Sequence, residues 1–268
     1  MAVFEFLNGS PIPHTIDHVA GSGWTMKVIA GKGEQLPTNI AAVLPAVAKV
    51  ININPNSRLN TTIFQLEGIA PGQASLTAGV DHRTTAGNLF VTLAAGPIAV
   101  NVLPKLVLPA AATDAGLLAR LFLAETLGPL ASSSYNLADA KTSMRLMHVV
   151  VSNRLKTPSA LWGSANARTL QDVVQSHSQF AGFEQYPTLA SGVQYVIDQV
   201  VILANQGSNA NLHLLRDFVQ AAFDEAAQKN PIDPSSTGLY WWRTGGSGAP
   251  TNTAKVYRTV SHNTFYMK

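Results

Sequence analysis

The sequence predicts a multidomain chain: an all-β sandwich over residues 1–104, then a mainly α domain with some strand over residues 105–268. Three observations predict it. Short runs rich in β-branched and aromatic residues, broken by Gly and Pro, fill the first part. Apolar residues recur at helical spacing in the second. Between them, residues 102–112 are bracketed by Pro104 and Pro109, where the periodicity changes from strand-like to helix-like.

Taken in order, Trp24 to Ala30 and Asn88 to Leu93 alternate roughly as strands do. Gly21, Gly23, Gly31, Gly33, Pro55, Gly68, Pro71, Gly72 and Gly79 supply turns. Residues 41–50 are apolar enough for a helix, which a plain sandwich does not need, so their state stays open. Thr113 or Asp114 can cap the first helix of the second part, because a short oxygen side chain satisfies free backbone donors. Helices are expected at 114–127, 138–156, 189–205 and 210–229, the last stopped at Pro231. Residues 238–243 and 255–260 read as strands flanking a glycine-rich loop.

Composition narrows the function. Of 268 residues, 46% are apolar and 12% charged, enough to fill a core and unlike a disordered chain. Acids and bases balance over residues 1–104, so the net charge of +3 falls on the second part. No block of consecutive Lys or Arg occurs, which speaks against nucleic acid as a partner. The absence of cysteine removes disulfides and thiolate metal sites. No cofactor or metal is expected: there is no His-Glu-x-x-His and no phosphate loop, and the seven histidines are scattered. His148 and His177 read as core or supporting residues rather than ligands. Residues 1–9 lack a basic region followed by an apolar core, so no ordinary secretory signal is expected. No apolar run reaches membrane-spanning length.

The residue that invites chemistry is Glu125. It sits near the end of the apolar run Leu117–Leu127, before Gly128 and Pro129. A carboxyl among Leu, Phe and Ala loses solvation in its charged form, so its pKa should rise. A carboxylic acid still protonated near neutrality is what a general acid must be. A helix-end glutamate pointing into water is the plain alternative, and this run alone leaves both open.

Later segments follow Glu125 in an informative order: Val151-Ser152-Asn153-Arg154, Gln179-Phe180, Gly238-Leu239-Tyr240-Trp241, and His262-Asn263-Thr264-Phe265-Tyr266. With Ala124-Glu125-Thr126, this series resembles the cell wall hydrolase family of spore-cortex-lytic enzymes, across essentially the whole second part. In the first part, Gly68-Ile69-Ala70-Pro71-Gly72-Gln73-Ala74-Ser75-Leu76-Thr77 resembles the late strand–turn–strand of bacterial immunoglobulin-like domains. The resemblances imply an immunoglobulin-like accessory or docking sandwich followed by a lysozyme-like (α+β) domain. They imply cleavage of peptidoglycan glycan strands, with Glu125 as the catalytic acid. The second part departs from the family in two places: Ser261-His262-Asn263 reverses the usual asparagine–histidine order, and Leu130 to Lys141 is longer and more serine-rich than the usual short Gly/Glu turn.

Glycoside hydrolysis normally adds a second carboxylate. Glu184 is the candidate and Asp139 a weaker one. If neither reaches the cleft, a lytic transglycosylase mechanism remains, in which the muramic acid's own hydroxyl attacks. Gln179, Phe180, Tyr240, Trp241 and His262 are expected to bind substrate. Tyr240 is expected in the cleft, with one of Trp241 and Trp242 buried, because strict alternation sends consecutive strand residues to opposite faces. Asn153 and Arg154 are expected to lock their helix to the domain.

A peptidoglycan enzyme made in the cytoplasm without a signal suggests an antibacterial effector delivered by type VI secretion to a target's periplasm or cell wall, or a phage-derived lysin. An immunity protein and a secretion component would then be partners. The rival from another class is a non-enzymatic cell-wall-binding module of phage virion or adhesin type. A stem-peptide amidase or peptidase is disfavoured by the missing Cys and metal signatures.

Overall fold

A computed structural model describes residues 2–83, 89–176 and 179–268. The chain divides into two compact units, Met1–Lys105 with Asn205–Leu212, and Leu106–Ala204 with His213–Lys268.

The first unit is a β domain. Its strands are β1 (Val3–Phe6), β2 (Thr15–Val19), β3 (Gly23–Ile29), β4 (Asn39–Val43), β5 (Ala48–Asn56), β6 (Thr61–Gly68), β7 (Gly72–Arg83) and β8 (Leu89–Leu103). They form two four-stranded sheets, β1-β3-β6-β5 and β2-β8-β7-β4. Neighbours are antiparallel except β2 and β8, which run parallel from Thr15↔Ala99 to Val19↔Leu103. Each sheet turns one set of alternating side chains inward. Met26, Val28, Phe64 and Leu66 from one sheet, and Leu76, Ile98, Val100 and Val102 from the other, belong to a single apolar cluster. Residues 41–50 hold no helix. They end β4, turn at Leu44 in the left-handed region (φ 71°), and start β5.

The second unit contains α1 (Asp114–Glu125), α2 (Leu137–Lys156), a single 3₁₀ turn at Ala160–Trp162, α3 (Leu170–Gln175), α4 (Ser191–Ala204) and α5 (Leu212–Ala226). Strands β9 (Leu239–Thr244), β10 (Lys255–Val260) and β11 (Asn263–Met267) follow, forming an antiparallel sheet in the order β10-β11-β9. Four helices fall where apolar periodicity places them. The short α3, held by a Thr169–Asp172 capping box, lacks a run long enough to show a period.

The expected fold class is corrected here. Among the described residues about 32% are strand and 27% helix, with three small sheets. Its helices lie in the second unit, where they share the core with a sheet, and long irregular segments join them. Neither the immunoglobulin-like label for the first part nor the mainly α, lysozyme-like label for the second is retained. Both came from short motifs in order along the chain, and motif order does not fix how elements pack.

α1 lies in the core of its unit. Leu117, Leu118, Leu121 and Phe122 pack in one cluster with Met144, Met147 and Val150 of α2, Ile197 of α4, Phe218 of α5, Leu239 of β9 and Phe265 of β11. A helix apolar around most of its circumference is stable only when surrounded. Thr113 caps its start, its hydroxyl oxygen accepting from the Gly116 N–H at 3.0 Å. Gly116 is required there, because a Cβ would lie 2.0 Å from the Ala110 carbonyl oxygen. Phe122 has no exposed surface. Phe122→Ala should therefore cost about 3–5 kcal/mol, read as a lowered urea midpoint of the helical circular-dichroism signal.

Candidate functional site

Glu125 is the last residue of α1, since Thr126 leaves helical geometry at ψ 134°. The helix thus stops before Gly128 and Pro129. Two independent contacts fix the end of α1. The Asn263 side-chain amide, buried in β11, donates to the Glu125 backbone carbonyl at 3.0 Å and reaches Ser143 Oγ at 3.4 Å. The Trp242 indole N–H stands near the Glu125 carboxyl. Burial raises the Glu125 pKa above the usual glutamate value, and the Trp242 N–H opposes the rise without cancelling it. The C-terminal end of a helix also disfavours a negative charge.

The carboxyl-bearing residue stands where two cavities meet, for Glu125 and Thr244 line both. One cavity, about 560 Å³, is polar, with Arg154, Gln179, Trp241, Trp242, Arg243 and Ser247 in its wall. The other, about 570 Å³, is largely apolar, with Leu127, Leu130, Tyr195, Leu203 and Phe218, and with His262 and Asn263 at one side. Taken as two limbs of one site, these cavities share a single acid, Glu125. Among the described residues, no other Asp or Glu lines either limb.

The expected second carboxylate is not in the groove. Glu184 is exposed, and one of its oxygens accepts from the Gly182 N–H at 2.8 Å, so it closes a local turn. Asp139 is exposed in the first turn of α2, where its N–H is capped by Asn136. Local turn and cap chemistry explains both acids.

Gln179 lines the polar limb, its Oε1 accepting from Arg154 at 3.0 Å. It packs over Gly163, a left-handed residue (φ 75°) whose Cβ would come 2.9 Å from the Gln179 amide nitrogen. Phe180 borders the same limb but is 3% exposed; its ring underlies the Arg154 guanidinium at 5.4 Å and meets Trp242 at 5.0 Å. It supports the wall more than it forms it. His262, exposed in the β10–β11 turn, borders the apolar limb. His177 lies outside the described residues.

The aromatic triple on β9 departs from expectation. Trp241 pairs with Tyr266 and Leu239 with Met267, so Tyr240 is an extra residue in a bulge. Two successive side chains then share a face. Tyr240 stacks on Trp162 at 4.3 Å, in a cluster with Trp241 and Tyr266, and lines neither limb. Trp242 turns back to the helices with Leu239 and reaches Glu125. Trp241 is buried, as expected of one of the two tryptophans, and only backs the wall of the polar limb; Trp242 takes the cleft position expected of Tyr240, which is withdrawn.

Asn153 fastens α2 to the sheet through Asp233 and the Leu239 carbonyl. Arg154 does likewise through the Tyr240 carbonyl at 2.6 Å, but it also borders the polar limb. His148 is buried and bonds Glu225 at 2.9 Å. Among the described residues, no group of His, Asp and Glu could hold a metal ion. Among the described residues, no helix is long and apolar enough to cross a membrane.

No protein-family model matches the sequence, and neither does any curated protein. Among solved structures, domains 4 and 5 of the S-layer protein SbsC are similar at 18% identity, over 38% of this chain and 54% of that one, with a TM-score of 0.22. A likeness this slight does not bear on fold or function.

Because the folded-state pKa of Glu125 is raised, the stability this group contributes is full below the ordinary glutamate range. It is lost as pH rises through the folded-state value. Glu125→Gln carries no such loss. Its melting temperature relative to the unsubstituted protein should be higher at pH 8 than at pH 4, as differential scanning calorimetry would read.

Proposed function

We propose that the chain cleaves the glycan strands of peptidoglycan, with Glu125 as the catalytic acid, by a transglycosylase mechanism. The observation that carries the reading is a single partly desolvated carboxyl at the junction of a two-limbed groove. A groove continuing on both sides of the acid suits a polymer cut within its length. The ordered motifs around Glu125, Arg154, Gln179, Trp241 and His262 support the same substrate.

Protonated Glu125 gives its proton to the glycosidic oxygen as the bond to the anomeric carbon breaks, through an oxocarbenium-like transition state. The carboxylate left behind takes the proton of the muramic acid's own hydroxyl as that oxygen closes on the anomeric carbon. Glu125 ends the cycle protonated, and the product carries an anhydro ring. One acid suffices for both transfers, which accords with Glu184 and Asp139 standing elsewhere. Burial serves the first step and the Trp242 indole the second: one favours the protonated acid, the other steadies the carboxylate once the proton has left.

Glu125→Gln should lower fragment release from purified sacculi by about 10²–10⁴-fold. Mass spectrometry of the digest should find anhydro ends. Hydrated reducing ends alone would replace transglycosylation with hydrolysis. Tight sedimentation with sacculi and no fragments from the unsubstituted protein would leave a binding module instead.

A further inference from the structure

Arg154 is 3% exposed, a full positive charge inside the protein. Its named partners are all neutral: the Tyr240 carbonyl, the Gln179 side-chain oxygen and the face of Phe180. No carboxylate among the described residues pairs with it, and residues 84–88, 177 and 178 contain no Asp or Glu. Buried charges are ordinarily paired, because desolvation of a lone ion is costly. A guanidinium also carries five N–H donors, more than these contacts use. Arg243, exposed on β9 and likewise without an ion-pair partner among the described residues, borders the same limb. Glu125, the one acid there, must be protonated to act. The polar limb thus holds two cations and, in its working state, no anion, whereas the apolar limb holds neither Lys nor Arg.

We propose that the polar limb is an anion subsite: Arg154, with Arg243 at its mouth, receives a carboxylate carried by the muramyl side of the bound strand. This rests on the glycan-strand reading above and gives the strand a direction. The carboxylate-bearing sugar enters the polar limb, and the uncharged sugar across the cut bond lies along Leu127, Leu130 and Tyr195. Two sources share this chemistry: the lactyl carboxylate of a muramic acid stripped of its peptide, or an acidic residue of an attached stem peptide. Guanidinium suits either, because its planar fork matches a carboxylate in two parallel hydrogen bonds.

The test is equilibrium binding of the Glu125→Gln protein to three strands of equal length: peptide-bearing, peptide-stripped, and stripped with the lactyl carboxyl reduced to an alcohol. Strands with a carboxylate should bind at least about 10-fold tighter than the reduced strand. If stripped strands bind tightly, the lactyl group is the anion. If only peptide-bearing strands do, the stem peptide supplies it. Arg154→Gln endangers the fold, so Arg243→Ala in the same background carries the residue assignment and should narrow the preference severalfold. Equal binding of all three strands, or an unchanged preference in Arg243→Ala, would overturn the subsite. A clear carboxylate preference in a chain that releases no fragments would keep the subsite and remove the cleavage reading.

Discussion

The second unit depends on one constraint: α1 must be buried around most of its surface, and its last residue is a carboxylate. Apart from Arg120, residues 117–123 are apolar and buried, and helices α2, α4 and α5 with strands β9 and β11 supply the surroundings. Closing this shell strips solvent from Glu125. The cost of burying its charge is the same physical effect that holds a proton on it. Core packing and the raised pKa of Glu125 are therefore one physical effect seen from two ends of a helix.

Around that carboxyl the surroundings divide labour. Asn263 clamps the backbone, so the helix end cannot shift without breaking the hydrogen bond from its buried side-chain amide. Trp242 moderates the acid from the side of the sheet. Arg154 ties α2 to β9 while keeping its charge at the polar limb. Each of these residues reaches Glu125's neighbourhood from a different element, β11, β9 and α2. The groove is assembled by tertiary structure, with Glu125 and Thr244 as the residues common to its limbs.

How much of this was legible in the sequence follows from which signals are local. The four longer helices are visible because an apolar face at helical spacing is a local pattern. Glu125 stands out because a lone acid in an apolar run is local too. Tyr240 was misplaced because alternation assumes an unbroken ladder, and the bulge opposite Tyr266 and Met267 is a property of strand pairing. Glu184 looked available because sequence does not show that a neighbouring N–H claims it. Residues 41–50 looked helical by composition, but a left-handed turn at Leu44 splits them into edge strands β4 and β5, where pairing overrides propensity. The fold class failed for the broadest reason, since motifs report neither sheet order nor the irregular segments between helices. Trp242 and Asn263 were in plain view as residues but carried no signal of their contact with Glu125, which spans 138 positions for Asn263.

The most direct measurement is the pKa of Glu125 itself, by ¹³C NMR of its side-chain carboxyl in the full chain across pH 3 to 9. Desolvation at the groove junction requires a midpoint clearly above the ordinary glutamate value of about 4.3. A midpoint at or below that value would mean the carboxyl is solvated or ion-paired, and a site built on a retained proton would be contradicted.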